Sequence, residues 1–161
     1  MDKKLLSSFP SIVNTSIHYG KLIRLDRLGE WNFVIMPNQI RRRVISSFSP
    51  SGAIGQIQSQ IFRNQTEELI IPSLNLEVKK YNKSLSDYLD SLVALSRPYP
   101  GLSSPLVLKF AWGQEIFTPC IIKELSILSN DWYSDGQVSR ATVSLTLLRV
   151  PYDQVVNVAP S

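Results

Sequence analysis

The segment Val138-Ser139-Arg140-Ala141-Thr142-Val143-Ser144-Leu145-Thr146-Leu147-Leu148-Arg149-Val150 decides the fold. Val143, Leu145 and Leu147 fall on one side of an extended chain, and Thr142, Ser144 and Thr146 fall on the other. That period of two is the mark of a strand with one buried and one wet face. Just upstream, Asp135-Gly136 reads as a tight turn. Behind the turn, Ile116 to Leu128 is a long, largely apolar run whose pattern is interrupted at Thr118-Pro119. Leu106 to Ala111 reads as a further strand, broken by Trp112-Gly113. From residue 106 the chain is β, and 151–161 form a short polar tail.

Upstream, Leu69 to Val78 is a strand, strictly alternating from Leu74 to Val78, and residues 54–62 also alternate. Lys21 to Leu25 and Trp31 to Met36 pair as a hairpin turning at Gly29, and Pro37 closes the second strand. Residues 38–53 hold Arg41-Arg42-Arg43 and then Ser46-Ser47-Phe48-Ser49-Pro50-Ser51-Gly52, and read as a long Ser-rich loop. Residues 1–20 read as an irregular arm. One helix is expected, over 84–96. Ser84 serves as its cap, and Asp87 stands three residues later at the positive end of the helix dipole. Leu85, Tyr88, Leu89, Leu92, Val93 and Leu95 form its apolar stripe. It must stop before Pro98, where a proline-rich connector runs to Pro105. The fold class is α+β, mainly β, with one helix packed on a sheet.

Composition narrows the chemistry. With 161 residues, 43% hydrophobic and 19% charged, the chain fits one domain and is neither a disordered tail nor a membrane protein. No apolar run approaches the roughly 20 residues that span a bilayer, and Met1 to Leu6 starts like a signal peptide but stops after two leucines. Without such a signal, the Asn-x-Ser/Thr triplets at Asn14, Asn64 and Asn82 carry no expectation of glycosylation. The single cysteine, Cys120, excludes an internal disulfide and a thiolate-rich metal site, and in its apolar strand it is expected to be buried and inert. The single histidine, His18, stands in the arm with no cysteine near it and Asp26 as its nearest downstream carboxylate. No phosphate-binding glycine loop, nucleophile elbow or zinc-binding His-Glu-x-x-His occurs. The acidic pairs Glu67-Glu68 and Asp87/Asp90 read as solvated. No catalysis, cofactor or metal is expected.

Charge is uneven. Residues 1–80 hold eleven Lys+Arg against six Asp+Glu, a net of +5, whereas 81–161 hold six against seven, a net of −1. The arginine triplet at 41–43 has forked donors suited to phosphate, so a small nucleic-acid-binding module is one reading. An exposed turn, or a surface that pairs with acidic groups of a neighbouring subunit, is the other. A total of +4 is modest for a nucleic-acid binder. The helix's polar face, with Ser86, Asp87, Asp90 and Ser91 and no cation, does not suit an anionic membrane.

Four features in fixed order carry a resemblance. They are Trp31 to Met36 running into Pro37-Asn38, the strand Leu69 to Val78 followed by the helix Ser84 to Ser96, the strand Pro105 to Gly113 ending in Phe110-Ala111-Trp112-Gly113 followed by Phe117 to Leu128, and Asp135-Gly136-Gln137-Val138-Ser139-Arg140-Ala141 opening the last strand. This order resembles the N-terminal domain of the LysM-bearing tube-initiator (hub-adaptor) proteins of contractile phage tails and phage-like injection systems. No LysM module follows within this sequence, which leaves the sheath or wedge contacts of that module without a counterpart. The resemblance implies a tail-tube-like β-sandwich or barrel over 30–150, an arm and first strand over 1–29, and a tail over 151–161. It further implies a hexameric ring in a virion or injection-machine baseplate. That ring joins the hub or spike to the tail tube and initiates the tube, with nucleic acid only passing through the lumen. Arg41, Arg42, Arg43 and Phe48 are then the candidate inter-subunit contacts. Trp31, Phe33, Leu85, Leu89, Leu92, Phe110, Trp112, Leu145 and Leu147 are the candidate core. The long strands 116–128 and 138–150 would be hazardous as free edges, and a ring would cover them.

Overall fold

A computed structural model describes residues 20–26, 29–51, 59–78, 85–98, 101 and 103–151, with the side chains of 49–51 and 59–63 left aside. The expected arm at 1–19, His18 within it, the helix cap Ser84 and the tail beyond 151 lie outside the described residues. The elements are β1 (Lys21–Arg24), β2 (Glu30–Asn32), β3 (Arg41–Ser51), β4 (Ser59–Glu77), helix α1 (Leu85–Ser96), β5 (Leu108–Trp112), β6 (Glu115–Trp132) and β7 (Val138–Arg149). All seven strands join one antiparallel sheet in the order β2-β1-β5-β6-β7-β4-β3. The chain is thus α+β and mainly β, one seven-stranded antiparallel sheet with a helix against it.

The hydrophobic pattern places the core. Ala141, Val143, Leu145 and Leu147 of β7 point to one face, beside Leu69, Ile71, Leu74 and Leu76 of β4. Pro72 interrupts β4 at a bulge between Ile71 and Leu74, beyond the last β3 partner at Ile70. A residue without an N–H is tolerated there because no ladder bond is lost to β3. α1 lays Leu85, Leu89, Leu92 and Leu95 on the same face. It is tied to β2, since Trp31 Nε1 donates to Ser91 Oγ at 3.1 Å and the Tyr88 hydroxyl donates to the Asn32 carbonyl at 2.9 Å. Trp31 and Phe33 meet edge to face at 4.8 Å, and Phe33 meets Phe110 the same way at 5.9 Å. Such pairs contribute about 0.5–1.5 kcal/mol each beyond area burial. Trp31, Phe33, Leu85, Leu89, Leu92, Phe110, Leu145 and Leu147 are buried, whereas Trp112 is only half-buried and packs against the rim of this core.

Two expectations are corrected. Residues 41–51, read as part of a loop, form an eleven-residue strand in register with β4, from Arg41 opposite Ile70 to Ser51 opposite Ser59, with one bulge at Ser47/Phe48. Every described side chain from Arg41 to Phe48 is exposed, so no face is buried and no period of two is written into the sequence. The second correction concerns edges. β6 and β7 are interior strands paired on both sides, so they need no ring to cover them. Among the described residues the edges are β2, three residues long, and β3. The hairpin joining β6 to β7 turns at Gly136, whose φ of 85° favours glycine. Asp135 Oδ1 accepts the Gln137 N–H there at 3.0 Å.

Candidate functional site

The β3 edge gathers the sequence's candidate contacts. Alternation along β3 splits the arginine triplet between the two faces of the sheet. Arg42 points to the core face, where its guanidinium lies 5.9 Å from the Phe117 ring and 3.7 Å from a Glu115 carboxylate oxygen. Arg43, opposite Glu68 in register, points to the other face and donates to Glu68 Oε2 from Nε at 2.9 Å. Arg41 shares that face and, among the described residues, makes no ion pair. Three guanidiniums in sequence therefore do not form one phosphate clamp. Two are engaged with carboxylates, and they point in opposite directions.

Glu68 is the residue that sequence reading placed wrongly. Instead of a solvated acid it is 1% exposed, held by Arg43 of β3 and by Lys123, which reaches it from β6 across β7. Hydrogen bonds from Lys123 and then Arg43 hold its carboxyl below the usual range, against the opposing effect of burial. Both cations stay half-exposed, so the carboxylate is covered by their stems while their charged ends keep contact with water. Farther along the same open face, Asn130 Nδ2 donates to Thr142 Oγ1 at 2.8 Å and that hydroxyl donates to Asn75 Oδ1 at 3.0 Å. Arg140 lies 3.2 Å from Glu77. The open face is a polar surface braced across β4, β7 and β6.

On the core face near the same end, Arg149 sits 4.5 Å over the Phe117 ring and its Nη1 donates to the Thr118 carbonyl at 3.0 Å. Its Nε comes within 2.9 Å of Glu67 Oε2, yet the geometry does not make a hydrogen bond, leaving that buried nitrogen with attraction alone. Thr118–Pro119 is a cis peptide.

β3 also carries the apolar part of the edge. Val44, Ile45 and Phe48 are each about half exposed, at 49%, 47% and 52%. From Glu67 outward β4 pairs only with β3, because the β7 register with β4 ends at Leu148 opposite Glu68. A two-stranded ribbon bearing these apolar residues therefore extends past the sheet. A second exposed group, Leu128, Trp132 and Tyr133, stands at the opposite, β6–β7 turn end.

Cys120 is buried, its thiol donates to the Leu108 carbonyl at 3.3 Å, and burial pushes its pKa up to about 12. Among the described residues no group of three His, Cys, Asp or Glu side chains is placed to hold a metal ion, and no helix is long and apolar enough to cross a membrane. A scan against protein-family models gives no match, and a search of curated proteins gives no relative of significance.

Proposed function

We propose that the chain is a structural subunit of a contractile-tail or injection-machine baseplate, forming a ring that connects the central hub or spike to the tail tube and initiates tube assembly. The observation that carries the reading is the β3 edge: an eleven-residue strand paired, among the described residues, on one side only, with Val44, Ile45 and Phe48 half exposed on it. An edge of that length and composition in an isolated chain invites pairing or docking with another chain. The edge lies at the sheet end opposite the short β2, so a contact between unlike edges is head-to-tail and closes as a ring if the rotation per subunit allows. The motif order that resembles the tube-initiator domain supplies the identity of the ring. Its partners would be tube and hub proteins, with sheath or wedge proteins on the outside.

The nucleic-acid module is the weaker reading, because the arginines it needs are split between faces and two are already paired with carboxylates. The deciding experiment is quantitative mass spectrometry of what co-purifies with a tagged copy from the native source. Recovery of tube, sheath and spike proteins in a stoichiometry fitting a hexameric ring is expected. Recovery of nucleic acid, or of no tail component, would overturn the proposal.

A further inference from the structure

Most charged side chains of the described residues are neutralised within the chain. Lys21 pairs with Glu30, Arg24 with Asp26, Arg42 with Glu115, Arg43 and Lys123 with Glu68, Arg140 with Glu77, and Arg149 with Glu67. Arg41 is unpaired at the start of the open β3 edge. Asp87 and Asp90 are unpaired on the outer side of α1, which has no basic residue in its last turn. Arg97, just past the helix, Lys109 and Glu124 on the sheet, and Asp131 and Asp135 towards the β6–β7 turn, each of which accepts a backbone N–H, are the other charged side chains without an ion pair.

The two surfaces do not pair inside one molecule: among the described residues Arg41 makes no ion pair with Asp87 or Asp90. β3 is the last strand of the sheet at one edge, whereas α1 packs over β6 and β7 and is hydrogen-bonded to β2 at the far edge. We infer that successive copies of the chain meet with the basic β3 edge of one against the acidic outer side of α1 of the next, Arg41 facing Asp87 and Asp90. Contact of β3 with a second β3 would instead bring like charges into one interface, which costs free energy. The unlike contact leaves one free surface of each kind on every pair, so it propagates in one direction. This inference rests on the ring reading and specifies which surfaces that ring would use.

The test is sedimentation velocity on the full chain at low and high salt, comparing wild type, Arg41→Glu and the double variant Asp87→Lys/Asp90→Lys. Melting curves confirm that each is folded. Wild type is expected to self-associate and to weaken as salt rises, because exposed pairs are screened. Each variant alone should associate about fivefold or more weakly, the scale of one exposed ion pair near its upper limit. An equimolar mixture of the two variants should regain association, since a glutamate edge then meets a lysine helix and an arginine edge meets an aspartate helix. No misfolding effect would be repaired by mixing. Association of both variants at wild-type strength, or a mixture no stronger than its parts, overturns this interface and leaves the ring reading standing. A wild-type chain that stays monomeric at every concentration and salt overturns both.

Discussion

Gly20 and Trp112 occupy the same space: a Cβ built on Gly20 would lie 2.0 Å from Cε3 of the Trp112 ring. The glycine backbone forms one wall of the rim against which this half-buried indole rests, and its carbonyl accepts the Phe33 N–H at 2.8 Å. Gly20→Ala must therefore displace either the ring or the strand entry. A loss of about 1–3 kcal/mol is expected, as for other overpacked sites, read as a lower denaturation midpoint with unchanged slope. An unaltered midpoint would mean that Trp112 turns aside freely.

Phe110 and Trp112 stand two residues apart on β5 with ring centroids 6.5 Å apart, yet only Phe110 is wholly buried. Phe110→Ala is expected to cost about 3–5 kcal/mol. Trp112→Ala should cost roughly half as much, because part of its ring is already in water in the folded state. Urea unfolding of the two variants side by side checks the order, and a larger loss for Trp112 would place the indole deeper than its exposure indicates.

The parts of the fold that sequence made legible are those with one buried face. The alternation Val143, Leu145, Leu147 and the stripe Leu85, Leu89, Leu92 each record a face turned to the core. β3 has no such face. Its serines and arginines look like a loop until β4 is known to lie beside it, and only then does Arg43 fall opposite Glu68. The same blindness hid the Glu68 cluster, since Lys123 is 55 residues away in sequence and two strands away in the sheet. Long-range pairing of charges leaves no local period to read. The resemblance to a tube-initiator domain put the candidate contacts at Arg41, Arg42, Arg43 and Phe48, which lie on β3, whereas the strands expected as hazardous edges, 116–128 and 138–150, fall in the interior of the sheet.

Glu68 makes acid stability a test of that cluster. Its carboxyl is held below the usual range in the folded chain, so its contribution is fully present above the unfolded carboxylate pKa of about 4.3. The contribution is lost as pH falls through the lower folded value. Glu68→Gln should lower the melting temperature at neutral pH and flatten the fall in stability on acidification. The check is a series of melts from neutral pH downward. Parallel curves for wild type and variant would show that Arg43 and Lys123 do not hold the carboxylate.

Cys120 gives a separate probe of the same interior. With its thiol pKa pushed up to about 12 by burial, the folded chain should resist thiol reagents at mildly alkaline pH and react only on unfolding. The raised value also means that the unfolded thiol ionises first. Stability should therefore decline as pH climbs from the unfolded value of about 8.5 toward the folded one. Reaction of the native protein at the rate of a free thiol would show that β5 and β6 separate readily at Leu108 and Cys120.

The β3 edge allows folding and assembly to be separated. Val44 and Ile45 are adjacent, so alternation turns one to each face, and both are about half exposed. Neither belongs to the core. A glutamate at either position gives that edge a charge of the same sign as Asp87 and Asp90 and also guards it against strand-to-strand contact, without removing buried packing. Val44→Glu and Ile45→Glu are each expected to change stability by no more than about 1 kcal/mol while abolishing recovery with tube and hub proteins. Melting curves measure the first effect and co-purification from the native source the second. If both variants are recovered at wild-type levels, β3 is not the assembly edge. If they unfold, the ribbon beyond Glu67 contributes to the fold and its apolar residues need no partner.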